Sequence, residues 1–145
     1  MQIITEYTRE AYRSINRNLL RGVVTEQANT LFDAVVALPL MPGTSYRTFT
    51  IDNIEQYVEE IKRSPVLTFA AFTSTSRLQP VALRFGGNVR LTIEGRTGRD
   101  IAVYSDAPRE AETMFLPALQ VRVRKIKTLR VGGQVVAIEV DVQEL

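Results

Sequence analysis

The sequence contains no cysteine and no histidine. Without cysteine there are no disulfides and no thiolate metal sites. Without histidine, Ser-His-Asp and Cys-His catalysis are excluded, as are histidine-ligated zinc and iron sites. An enzyme built on this chain must work with carboxylates, Arg, Lys, Ser, Thr and Tyr. Also missing are an internal repeat, a low-complexity tract and an apolar run long enough to cross a bilayer. The opening segment Met1-Gln2-Ile3-Ile4-Thr5-Glu6 lacks the basic start and long apolar core of a secretory signal.

What is present is ordinary in bulk. The 145 residues are 45% hydrophobic and 23% charged, with a formal net charge of +2. That length predicts one domain over residues 1–145, able to bury about two-thirds of its unfolded surface. The basic residues are dispersed. Their densest run is Arg122-Val123-Arg124-Lys125-Ile126-Lys127. It alternates like a strand and reads either as a solvated strand face or as a phosphate-contacting surface.

The first third reads as helical. Thr5, or else Thr8, serves as N-cap for a helix with Tyr7, Ala11, Tyr12, Ile15, Leu19 and Leu20 at helical spacing, stopped by Gly22. Thr25 caps a second helix whose apolar face is Ala28, Leu31, Phe32, Val35 and Val36. Pro39, Pro42 and Gly43 end it. Strand character follows at Ser45–Phe49. Asp52 then caps a short helix through about Lys62, with Ile54, Tyr57, Val58 and Ile61 inward. Further strands are expected at 66–72, 89–93 and 99–103, with a loop over 79–88 that has room for a short helical turn. The segments 119–129 and 134–142 read as a hairpin through Val131-Gly132-Gly133. Helices first and strands after predict an α+β fold, with an antiparallel sheet system and helices on one side.

Four groups of residues carry chemistry. Glu110-Ala111-Glu112 puts two acids at i and i+2, on one face of an extended chain. Core packing gives no reason for such a pair, whereas a site that stabilises positive charge does. Arg47, among aromatic and apolar neighbours, suits a phosphate or a carboxylate, or else a structural ion pair. Ser74-Thr75-Ser76 ends a strand, either as a polar turn or as hydroxyls that orient a carboxylate or a sugar. Tyr7, Tyr12 and Asn16 lie roughly along one side of the first helix, as core aromatics with an incidental Asn or as the wall of a site.

In this order the groups resemble the mono-ADP-ribosyltransferases of the Arg-Ser-Glu class. The resemblance runs from about Tyr7 to Lys127. It takes in the opening helix through Leu20 and Arg21, Tyr46-Arg47, Phe72 with the hydroxyl run, Phe85, Ser105, the Glu-x-Glu pair, Pro117, and Val121 and Val123. Two departures stand out. Thr48 follows Arg47, where many relatives have Gly or Arg, and the family's second basic residue has two candidates here, Arg84 and Arg90.

The resemblance implies N-terminal helices packed on a split antiparallel β-sandwich with a central NAD cleft. It implies NAD+ as co-substrate and no metal. Glu112 would stabilise the oxocarbenium-like ribose and accept from its 2′-hydroxyl. Ser74, with Thr75 and Ser76 beside it, would hold Glu112 and the ribose. Arg47 would pair with the phosphates, Tyr7, Tyr12 and Asn16 would line the opposite wall, and Phe85 would stack near nicotinamide. Glu at position 110 goes with transfer to an arginine side chain of a protein. RNA or water remain alternative acceptors, and a non-catalytic α+β binding domain is the alternative from another class. An inhibitor or immunity protein is the partner expected of a free-standing toxin of this type. The chain would act in the cytoplasm of a producing, host or target cell, with no membrane partner.

Overall fold

The computed structural model describes residues 2–145. Helix α1 (Gln2–Glu6), a π-helical turn (Tyr7–Ala11) and α2 (Tyr12–Leu20) form one continuous rod. Thr5 and Thr8 are not its caps. Thr5 lies within the helix and donates its hydroxyl to the Tyr104 carbonyl at 2.7 Å. Thr8 accepts from the Asp106 amide at 2.9 Å. Both threonines therefore tie the helix to a distant loop instead of starting it. Gly22, at φ +77°, takes the left-handed conformation that closes the rod.

Helix α3 (Glu26–Val36) is capped by Thr25, whose hydroxyl accepts from the Ala28 amide at 3.1 Å. Ala28, Leu31 and Val35 are buried, while Phe32 and Val36 face outward. Helix α4 (Ile54–Arg63) is capped by Asn53 instead of Asp52, through a 3.2 Å bond from the Gln56 amide. Helix α5 (Gln79–Arg84) replaces most of the expected loop. None of these helices is long and apolar enough to cross a membrane.

The strands are β1 (Gly43–Phe49), β2 (Val66–Phe69), β3 (Thr73–Ser76), β4 (Val89–Gly95), β5 (Arg99–Asp100), β6 (Glu112–Phe115), β7 (Leu119–Val131) and β8 (Gln134–Glu144). They hydrogen-bond in the order β2-β7-β8-β4-β1-β3-β6-β5. The pairing is antiparallel except between β4 and β8, which run parallel. β1 and β3 meet through one registered pair, Tyr46 with Ser76. That narrow joint divides the sheet into two halves, each with its own core.

One core lies under β4, β7 and β8 and is covered by α4 through Val58 and Ile61. The other lies between the N-terminal rod, α3 and the β3–β6 half, built from Ile4, Tyr7, Ile15, Leu31, Val35, Phe72 and Met114. Helices thus cover both halves, not one side only. Burying each such Ile or Leu contributes on the order of 2 kcal/mol.

The expected strand over 66–72 is split for the same reason. Phe69 packs into the first core and Phe72 into the second, so the chain must leave β7 and cross to β6 between them. The strand expected over 99–103 ends early. Asp100 Oδ1 accepts from the Ala102 amide at 3.0 Å and turns the chain into a 3-10 turn, Ala102–Tyr104. The β7–β8 hairpin closes on Gly132 and Gly133, both at positive φ as a two-residue turn of this hand requires.

The basic run of β7 is exposed, but it faces acids across the sheet. Lys125 pairs in register with Asp141 and Lys127 with Glu139, and Arg90 on β4 reaches Glu139 at 3.8 Å. Arg122 opposes Gln143 and Arg124 bonds it at 3.0 Å, so the run reads as a solvated strand face with its lysines set against acids.

Candidate active site

A cleft of about 500 Å3 opens at the joint between the two halves. Its walls are the N-terminal rod, β1, β3, the end of α5 and the 105–112 segment. The π turn shapes the first wall. In an α-helix, residues five apart diverge. Here the Tyr12 amide bonds back to the Tyr7 carbonyl, an i→i+5 contact that brings the two tyrosines onto one side. Their rings meet edge to face at 6.3 Å, and Tyr7 meets Phe72 at 5.9 Å. Asn16 completes the wall. Its amide donates to the Tyr7 hydroxyl at 2.8 Å, and its carbonyl accepts from the Phe72 amide at 3.1 Å.

Arg47 extends from β1, where alternation places it with Ser45 and Phe49 toward the β4 core residues. Its Nη1 donates to the Ser74 carbonyl at 2.9 Å, and its guanidinium sits 6.0 Å from the Phe49 ring centre. Its Nε is buried with no partner among the described residues. Burial pulls its pKa down, and the Tyr7 and Glu112 groups oppose this. A half-satisfied buried guanidinium suits an anion that arrives with a ligand.

Glu110 and Glu112 are not neighbours on one strand. Glu110 ends a 3-10 turn, Pro108–Glu110, Ala111 is left-handed at φ +48°, and Glu112 opens β6. Ser76 donates to the Glu110 carbonyl at 2.6 Å, and the Arg77 amide donates to the Ala111 carbonyl at 3.0 Å. These two bonds hold Ala111 in a conformation that costs an L-residue about 1 kcal/mol. Both carboxylates still line the same cleft.

Burial pushes the Glu112 carboxyl above its ordinary range. The hydrogen bond from Ser74 opposes the shift, the Glu110 charge adds to it, and Ser105 and Arg47 pull back. Ser105 donates to Glu112 Oε1 at 3.4 Å. Asn16 holds the Tyr7 phenol, and Ser74 lies beside both Tyr7 and Glu112, where it favours the ionised form of each. Burial likewise raises the Tyr7 hydroxyl, which stays protonated.

Every residue expected at the site lines this cleft: Tyr7, Tyr12, Asn16, Arg47, Ser74, Thr75, Ser76, Phe85, Glu110 and Glu112. Thr75 donates its hydroxyl to the Thr113 carbonyl at 2.8 Å, and Ser76 uses its own on Glu110, so both act on the wall itself. Phe85 stands 71% exposed at the rim. Neither candidate for a second basic residue reaches the cleft. Arg90 is paired with Glu139, and Arg84 points into an adjoining groove.

Arg77 has no sequence signal. Its Nη1 donates to the Glu112 carbonyl at 3.2 Å and to Thr113 Oγ1 at 2.7 Å, and its Nη2 pairs with Asp100 at 3.1 Å. It pins the start of β6, and with it Glu112.

No protein-family model matches the chain. It is 36% identical over 120 residues, 77% of its length, to Mav of Mycobacterium avium (strain 104), named as an inferred NAD(+)--arginine ADP-ribosyltransferase. The chain spans 14% of that protein. Its fold matches the ADP-ribosyltransferase HopU1 of Pseudomonas syringae at a TM-score of 0.84, with 19% identity, covering 99% of this chain and 75% of HopU1. The ADP-ribosyltransferase Vis of Vibrio splendidus, solved with agmatine, matches at 0.79 with 25% identity, covering 99% of this chain and 72% of Vis. By fold, and by the sequence it shares with these relatives, the chain belongs to the ADP-ribosyltransferase family.

Proposed function

We propose that the chain transfers ADP-ribose from NAD+ to an arginine side chain of a protein and releases nicotinamide. The observation that carries this reading is the meeting of Glu110, Glu112 and a half-satisfied Arg47 guanidinium at one cleft. The cleft volume lies within the usual ligand range, roughly 300–1,000 Å3.

Arg47 would take a phosphate of the substrate with the part of its guanidinium that faces the cleft, while its Nη1 stays anchored on Ser74. Glu112 would face the ribose carbon, where positive charge develops as the bond to nicotinamide breaks. A partly desolvated carboxylate acts there more strongly than it does in water. Ser74 and Ser105 donate to it and favour its ionised form. Glu110 would orient the acceptor guanidinium, whose free pKa exceeds about 12, and take its proton as the new bond forms. Tyr7, Tyr12 and Asn16 would close the wall opposite, and Phe85 would cover the nicotinamide.

Two relatives support the arginine acceptor. Mav carries arginine in its name, and Vis is solved with agmatine, a decarboxylated arginine. The RNA alternative draws nothing from the basic run of β7, whose lysines oppose Asp141 and Glu139 and do not line the cleft.

Incubating the protein with NAD+ and agmatine, then with NAD+ and a protein extract, tests the reading by mass spectrometry. The expected products are ADP-ribosyl-agmatine and a mass shift on arginine. Nicotinamide release without any adduct would point to a glycohydrolase. Absence of release, together with no NAD+ binding by calorimetry, would leave a non-catalytic domain.

Arg47→Lys keeps the charge but removes the fork that can hold Ser74 and a phosphate together. It is expected to raise the KM for NAD+ about tenfold, with a smaller fall in kcat, measured by initial rates of nicotinamide release.

A further inference from the structure

A second groove, of about 520 Å3, adjoins the cleft and is lined by Arg84, Asp106, Ala107, Pro108, Arg109 and Glu110. It shares Asp106, Ala107 and Glu110 with the first, so Glu110 stands where the two meet. Arg84 reaches it from the end of α5 and Arg109 from the 3-10 turn, and both are exposed. Neither is in an ion pair with a carboxylate among the described residues. The remaining acid of the groove, Asp106, pairs with Arg9 at 3.4 Å. The groove thus carries one free negative charge at its inner end and two uncompensated positive charges along its walls.

We propose that this groove selects acceptor arginines flanked by acidic residues. The inference rests on the transferase reading of the same site. A guanidinium placed against Glu110 leaves the residues beside it within the reach of Arg84 and Arg109. Carboxylates there complement the guanidinium forks, whereas a second basic residue is repelled. Each such rim contact is weak and screened by salt, so the effect is one of preference between acceptors.

The test compares three acceptors with the intact chain and saturating NAD+: agmatine, a peptide with one arginine between aspartates, and a peptide with the arginine between lysines. At low salt the aspartate peptide is expected to be used about tenfold more efficiently, by kcat/KM, than the lysine peptide. The gap should narrow at about 0.5 M salt. The double variant R84E/R109E, checked for fold by circular dichroism, is expected to reverse the preference. Modification of agmatine with equal use of both peptides, or with preference for the lysine peptide, overturns the groove proposal and leaves the transferase reading standing. A double variant that keeps the aspartate preference also overturns it. Transfer to none of the three overturns both.

Discussion

Replacing Glu112 with Gln is expected to lower nicotinamide release from NAD+ by about a thousandfold, the scale of removing one preorganised electrostatic group from a desolvated site. The side chain keeps its size and one oxygen that can accept from Ser105, while the charge is lost and the second oxygen becomes an NH2 donor. Stability should move the other way. Burial raises the folded-state pKa of Glu112 above its unfolded value. A group shifted upward contributes stability that is full below the unfolded pKa and is lost as pH rises through the folded one. At pH 7, above the unfolded pKa, the upward shift is a cost to folding, and Gln removes it. The variant should melt a few degrees higher than wild type at pH 7, and the difference should shrink toward zero below about pH 4. Thermal melts across this range beside the rate measurement separate a chemical role from a structural one. A variant that melts lower at pH 7, or keeps more than a tenth of the rate, would contradict the assignment.

Glu110→Gln is expected to divide two activities that share the cleft. Transfer to agmatine should fall by a hundredfold or more, because the proton of a poorly nucleophilic guanidinium loses its acceptor. Hydrolysis of NAD+ should fall less than tenfold, since Glu112 remains. A third readout follows from electrostatics. The Glu110 charge raises the pKa of Glu112, so removing it lets Glu112 ionise at lower pH. The acidic limb of the pH–rate profile for hydrolysis should move down relative to wild type. Equal loss of transfer and hydrolysis, or an unmoved limb, would contradict the division of roles.

How far these roles could be read before the fold was known differs from residue to residue. The caps at Thr25 and Gly22, the Gly132-Gly133 hairpin and the alternation in β4, β7 and β8 are local signals, and local physics decides them. The break between Phe69 and Phe72 is not local. It follows from two cores pulling on one short segment, and no periodicity announces that. The Glu-x-Glu pair was legible as a meeting of charges but not in its geometry, because Ala111 gives no hint of a left-handed turn. The reason lies far along the chain, in Ser76 and Arg77. Arg77 itself was invisible, since a lone arginine after a strand has no pattern until Asp100 and the β6 backbone come to it. The basic run of β7 left two readings open, and the strand pairing favours the solvated face. Its positive charge was plain, while the opposing acids on β8 belong to a strand pairing that composition does not reveal.

The π turn in the N-terminal rod has a consequence for lineage as much as for shape. An α-helix turns about 100° per residue, so side chains five apart stand about 140° from each other. At a spacing of five, Tyr7 and Tyr12 form one wall only while the turn holds one residue more than α-helical geometry allows. Arg9 and Glu10 lie exposed in this turn, and Arg9 ties it to Asp106 at 3.4 Å. Relaxation of the turn to α-helical geometry at this length would swing one ring out of the cleft, whereas loss of one residue between them would leave the rings four apart, about 40° from each other, in a regular helix. A lineage can therefore gain or lose the extra residue without separating the two rings, provided the turn changes with it.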